Sequence, residues 1–186
     1  DIKETTVVRA RVFETGYIPS YTQSRVYIYN VNHTLPIISL ITDPDNLFDN
    51  DDGIYVFGDS YDQNYPHFGA NFWEDWERPI HVSLYENNSN YEISFDAGVK
   101  IFGGWSRGQA QRSFSIFARG KYGTSEINYK LFPQSDYSVF QSFILRNSGQ
   151  DWLRTSVKDA ALTSLLKGTG LDYQSYTPVV TYINGE

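Results

Sequence analysis

The chain has 186 residues, enough to bury one substantial core, and 17% of them are aromatic, led by 15 Tyr and 12 Phe, a composition that favours sheet. A formal net charge of −7 gives no general attraction to nucleic acid or to an anionic membrane. Cysteine is absent, which excludes a disulfide scaffold, thiolate metal sites and cysteine nucleophiles; no apolar run reaches the ~18 residues of a membrane span.

Residues 1–31 read as a unit of their own. Thr5 to Phe13 and Ser24 to Tyr29 alternate apolar and polar residues around a turn-rich connection, so they are expected to pair as a hairpin. Two strands are marginal in water, and the chain begins at Asp1 in mid-pattern without methionine. The expectation is the last hairpin of a preceding β-sandwich, making few contacts with the remainder of the chain.

Leu35 to Thr42 (LPIISLIT) is a continuous apolar run, suited to a strand covered on both faces. The acidic stretch behind it carries Asp43, Asp45, Asn46, Asp49, Asp51 and Asp52. Calcium favours such oxygen ligands, but counting back from Gly53 puts Phe48 at the first EF-hand position. Asx turns and helix caps use the same residues.

Residues 58–76 form a long aromatic loop with Trp73 and Trp76, and loops of that length often carry function. Glu74, Asp75 and Glu77 are sequence neighbours that would not flank a glycoside, so they read as solvated acids. Arg78 to Glu86 is a strand with Ile80, Val82 and Leu84 on one face and His81 on the polar one; 87–90 turns, and Tyr91 to Phe95 returns. His33, His67 and His81 have no ligand spacing, so no zinc site is assigned.

The stretch from Val99 to Gly123 organises the chain. Val99 and Ile101 alternate before Gly103-Gly104, and Phe114, Ile116 and Ala118 alternate after Gly108, giving two strands around a Gly-rich connection. Ser106, Arg107 and Arg112 lie in that connection, with Arg119 and Lys121 beyond. A tip rich in glycine and cations can offer N–H groups and positive charge to an anion; the bland alternative is a surface hairpin with solvated arginines. Gly103 and Gly108 have P-loop separation, but Gln109-Ala110 stands where Lys-Ser/Thr is required, and GxGxxG does not occur.

A strand is expected next at Phe140 to Leu145, and RNSGQD (146–151) leads into one principal helix, expected over about 152–167. Trp152, Val157, Ala161, Leu162, Leu165 and Leu166 mark its buried stripe, with Asp151 or Thr155 as cap and Gly168 as stop. A last strand, Pro178 to Ile183, runs into Asn184-Gly185, a strong hairpin-turn signal. The fold class expected is α+β, predominantly antiparallel.

Together, LPIISLITDPDNLFDNDDGIYV, NFWEDWERPIHVSLYE, AGVKIFGGWSRGQAQRSFSIFARGKYG, FILRNSGQDW, VKDAALTSLL and LDYQSYTPVVTYINGE resemble segments of the spore-coat protein H (CotH-type) kinases, in the family's order, over residues 35–186. Residues 1–31 resemble the last hairpin of a chitobiase C-terminal-type β-sandwich. The resemblance implies the N-terminal part of an atypical protein-kinase-like fold, from a bacterial protein that is secreted, at the cell surface or spore-associated. It further implies ATP and a divalent metal as cofactors, and a partner protein whose serine accepts phosphate. Gly103, Gly104, Ser106 and Arg107 match the family's Gly/Ser/Arg turn. Arg112 stands where the family has the lysine of a Gln-Lys-Ser triplet, the candidate for holding nucleotide phosphates, and Asp159 matches an Arg-Asp-Ala step with Lys158 in place of arginine. These five residues, Gly103 to Arg112, are the cofactor-binding candidates. The family's metal-binding and catalytic aspartates are expected beyond residue 186, so no catalytic or metal residue is assigned and this portion alone is expected to be inactive. The alternative is a non-catalytic extracellular module that binds glycan or protein through Trp73, Trp76, Trp105 and the tyrosines.

Overall fold

The computed structural model describes residues 2–86 and 90–186; the turn expected at 87–90 falls mostly outside them. The chain divides into two compact groups, one of residues 1–42, 80–95 and 178–186, the other of residues 43–79 and 96–177. Among the described residues strand is the dominant element, with two short α-helices, as an α+β reading requires.

In the first group, β1 (Thr6–Ala10) and β2 (Gln23–Tyr27) form the expected antiparallel hairpin, with Val7 opposite Val26. All of β3 (Ile37–Ile41) is buried. It pairs antiparallel with β4 (Arg78–Glu86) on one edge and parallel with β10 (Val180–Ile183) on the other, the environment a continuous apolar run anticipates. The hairpin is not isolated from these strands. Val26 packs with Ile37, Ile41 and Tyr85, and Tyr85 Oη donates to the Val26 carbonyl at 3.4 Å. A two-stranded ribbon needs such a partner to exclude water from one face. Tyr85 and Ser83 are buried on the side of β4 that His81 marks as polar in sequence, so β4 too is covered on both faces.

Asn184 and Gly185 have φ of 50° and 94°, the left-handed pair that a type I′ turn demands. Ile183 and Glu186 exchange backbone hydrogen bonds at 2.7 and 3.1 Å. Asn184 Oδ1 accepts from the Thr42 amide at 2.9 Å, fastening the end of β10 beside β3.

In the second group, the acidic stretch builds α1 (Pro44–Phe48) and its flanking turns. Asp43 accepts from the Asp45 amide, and Asp49 Oδ1 accepts from the amides of Asp51 and Asp52, as Asx caps do. Among the described residues no three His, Asp or Glu side chains gather as a metal ion would require. Strand β5 (Asn90–Phe102) runs through both groups, and its residues 98–102 pair antiparallel with β6 (Ser113–Phe117). On its other edge β6 pairs with β9 (Ser142–Leu145), while β7 (Ile127–Asn128) and β8 (Val139–Phe140) form a separate ladder. Alternation predicts one mixed face for β6, yet Ser113 and Ser115 are buried along with Phe114 and Ile116.

The helix differs most from expectation. Only Lys158–Ser164 is α-helical (α2), preceded by a 3₁₀ turn at Gly149–Asp151. The Asp151 carboxylate accepts from the amides of Thr155 and Lys158 and from the Thr155 hydroxyl, and Ser156 is left-handed at φ 57°. A carboxylate that takes those amides offers the backbone an alternative to helix. The intended stripe is not buried: Val157, Leu162 and Leu165 are 47%, 56% and 73% exposed.

Candidate functional site

The connection between β5 and β6 closes as a 3₁₀ turn at Trp105–Gly108. It begins at Gly103, whose φ of 117° suits glycine alone; a Cβ there would lie 2.5 Å from Ser106 Oγ. Gly104 is exposed, and Ser106 and Arg107 are half-buried. Ser106 Oγ also approaches Gly149, where a Cβ would lie 3.9 Å from it, so the hydroxyl sits between the Gly-rich turn and the RNSG turn.

Arg107 is spent on anchorage. Its Nε donates to the Gly103 carbonyl at 2.7 Å, and its Nη1 donates to the carbonyls of Phe72 and Trp73 at 3.2 and 3.3 Å. Its guanidinium also lies over the Trp73 ring at 5.8 Å. Burial lowers its pKa from the ordinary guanidinium value, and the nearby Asp75 carboxylate partly offsets this.

Arg112 is placed differently. It is 7% exposed, so the solvated-hairpin alternative does not hold for it. The guanidinium carbon lies 3.9 Å from the Phe72 ring centre, 4.8 Å from Tyr55 and 5.8 Å from Phe57. Its Nε has no hydrogen-bond partner among the described residues. The backbone is held too: the Arg112 amide donates to Tyr55 Oη at 2.9 Å, and that hydroxyl donates to the Ala110 carbonyl at 3.2 Å. Burial depresses the Arg112 pKa while Tyr55 pulls it back up. The cation is dehydrated and faced by aromatic rings, an arrangement worth about 2 kcal/mol when desolvated.

Phe72 therefore links the two arginines, with its carbonyl bonded to Arg107 and its ring beneath Arg112. Arg119 and Lys121 lie elsewhere, paired with Glu77 at 3.0 and 2.8 Å, where Tyr122 Oη also donates to that carboxylate at 3.0 Å. Asp159 is ion-paired with Arg146. Asp75 pairs with Lys100 at 2.8 Å and is 89% exposed, as the solvated reading expects, whereas the Glu77 side chain, 11% exposed and held by Arg119, Lys121 and Tyr122, departs from it.

Sequence reasoning missed Tyr55, Phe57, Phe72 and Asn147. The three aromatics come from segments without periodicity, where ring partners cannot be read from spacing. Asn147 sits in the RNSG turn, where Ser148 and Gly149 are left-handed at φ 61° and 35°. The Asn-Ser-Gly run is the local signal that could have pointed to it, since these residues mark unusual backbone.

No curated protein and no solved structure matches the chain. Residues 99–186, from the first arm of the Gly-rich hairpin to the last residue, match the family model described as CotH kinase protein, and this part of the chain is similar to that family.

Proposed function

We propose that the chain is part of a CotH-type kinase domain and that its Gly103–Arg112 connection takes the phosphates of ATP. Arg112 is the observation that carries this reading: a buried guanidinium with an unpaired Nε and no ion-pair partner among the described residues. Stabilising a buried cation without a counter-charge is costly, and a phosphate oxygen admitted beside the guanidinium would satisfy both its charge and its unpaired, buried N–H. Ser106 adds a hydroxyl, and Arg107 fixes the turn. ATP would supply the transferable phosphoryl group. The described residues gather no metal-ligand set, so no phosphoryl-transfer step is derived from them. The bacterial origin, the secreted or spore-associated setting and the serine-bearing partner protein belong to the same proposal.

The test is ATP affinity. Arg112→Ala should weaken it about tenfold or more, the scale of one charged hydrogen bond, and Arg112→Lys should recover much of the loss. Unchanged affinity in a folded Arg112→Ala protein would remove the nucleotide role.

One observation favours a second reading, a contact surface for glycan or protein. Trp105 is 63% exposed, flanked edge-on by Tyr65 and Phe68, each 50% exposed. These rings adjoin Arg107 through Trp73 rather than standing apart from it. Binding of neutral oligosaccharides that Trp105→Ala abolishes, with ATP affinity absent, would favour this reading.

A further inference from the structure

Asn147 is 5% exposed, and both ends of its side-chain amide are engaged. Nδ2 donates to Gln109 Oε1 at 2.9 Å and to the Gln111 carbonyl. Oδ1 accepts from Ser113 Oγ and from the Gly149 amide, each at 2.9 Å. The Asn147 backbone amide donates back to Ser113 Oγ at 2.9 Å. An asparagine side chain has two donors and one two-lone-pair acceptor, and here every one of these positions is used.

The partners are placed around Arg112. Gln111 precedes it and Ser113 comes directly after it, so Asn147 grips the chain on both sides of that residue. Two further bonds brace the same junction: Gln109 Nε2 donates to the Gly149 carbonyl at 2.8 Å, and Trp152 Nε1 donates to Gln111 Oε1 at 3.0 Å. Tyr55 holds the Arg112 amide directly. The backbone of Arg112 is thereby fixed by Tyr55 and by Asn147. Its guanidinium, by contrast, makes ring contacts that tolerate sliding, because ring attraction is less directional than a hydrogen bond.

We infer that Asn147 is a positioning residue for Arg112: it sets the backbone at Gln111 and Ser113 so that the guanidinium is presented over Phe72 with Nε free. This rests on the reading of Arg112 as the phosphate-binding cation only for its functional consequence; the positioning itself stands on the hydrogen bonds above. An asparagine that served only to satisfy the RNSG turn would need the Gly149 contact, not two donors aimed across to the 109–111 segment. Supporting groups that hold a binding side chain within a fraction of an ångström are what convert a cation into a site.

The test uses the whole chain and the Arg112 Nε–Hε resonance, observed by ¹H–¹⁵N NMR with and without ATP. In the wild type that N–H should be protected from solvent exchange, and ATP should shift it. In Asn147→Ala, and to a lesser extent in Gln109→Ala, Arg112 Nε–Hε should shift and exchange at least several-fold faster without ATP, while the Val99 and Ile116 amides stay protected. ATP affinity should fall in Asn147→Ala, and the double variant should bind no more weakly than Arg112→Ala alone, the non-additivity of two residues acting through one contact. An Arg112 signal unmoved by both substitutions would overturn the positioning role whether or not ATP binds. A moved signal in a protein that ATP does not affect would instead keep the positioning role and remove the nucleotide reading. Should Asn147→Ala not fold, Gln109→Ala, at a half-exposed position, decides the positioning role alone.

Discussion

The guanidinium carbon of Arg112 lies 3.9 Å from the centre of the Phe72 ring, and Phe72 has no exposed surface. One face of that ring thus supports a cation that no carboxylate neutralises among the described residues. The pair separates what is structural at this site from what is functional.

Replacing Phe72 by alanine should cost about 3–5 kcal/mol, the range for truncating a buried aromatic, seen as a lower urea midpoint. Arg112→Met keeps much of the side-chain volume and removes a desolvated charge. It should change stability by no more than about 1 kcal/mol, or raise it, while removing the contact proposed for phosphate. A loss above about 3 kcal/mol, the scale for breaking a buried charged contact, would mark Arg112 as a structural cation.

Gly103→Ala meets two penalties that can be told apart. Its φ of 117° is hostile to any L side chain, and the new methyl would crowd Ser106 Oγ. The expected loss is about 1–2 kcal/mol by chemical denaturation. Adding Ser106→Ala should return only the crowding part, because the backbone strain persists. Full recovery in the double variant would mean that strain is negligible here.

Glu77 supplies a pH dependence. Burial raises its pKa, but hydrogen bonds from Lys121 and Tyr122 and the charges of Arg119 and Lys121 outweigh that, leaving it below the ordinary glutamate value. A carboxylate with a depressed folded-state pKa contributes stability above its unfolded value, about 4.3, and loses it as pH falls through the folded one. The gap between wild type and Glu77→Gln should therefore be flat from neutral pH to about 5 and narrow below about 4. Its neutral-pH size should be about 1 kcal/mol, since Arg119 and Lys121 are half-exposed and such pairs are weak. A gap that widened in acid would contradict the ion-pair account.

Period-2 alternation made β4 and the hairpin β1–β2 legible, and a continuous apolar run did the same for β3. What alternation could not supply was the cover on the second face: Ser83, Ser113 and Ser115 read as polar positions but are buried, because long-range partners decide exposure. The helix failed for a local reason. Leu162 and Leu165 have helical spacing, yet Asp151 captures the amides that would begin the helix earlier. At the candidate site, glycines and arginines were visible from composition alone. Tyr55, Phe72 and Asn147 were not, since they reach Arg112 from segments 57, 40 and 35 residues away along the sequence.

Whether Arg112 receives phosphate is read most directly from an ATP titration followed at the Arg112 Nε–Hε cross-peak, with adenosine as control. A saturable shift is expected with ATP and none with adenosine, because only the phosphates can supply the anion that the unpaired, buried donor would accept as partner. The Arg107 Nε–Hε signal, already bonded to the Gly103 carbonyl, should move far less. An Arg112 signal that stays still through millimolar ATP, or that responds equally to adenosine, would contradict a phosphate-binding Arg112.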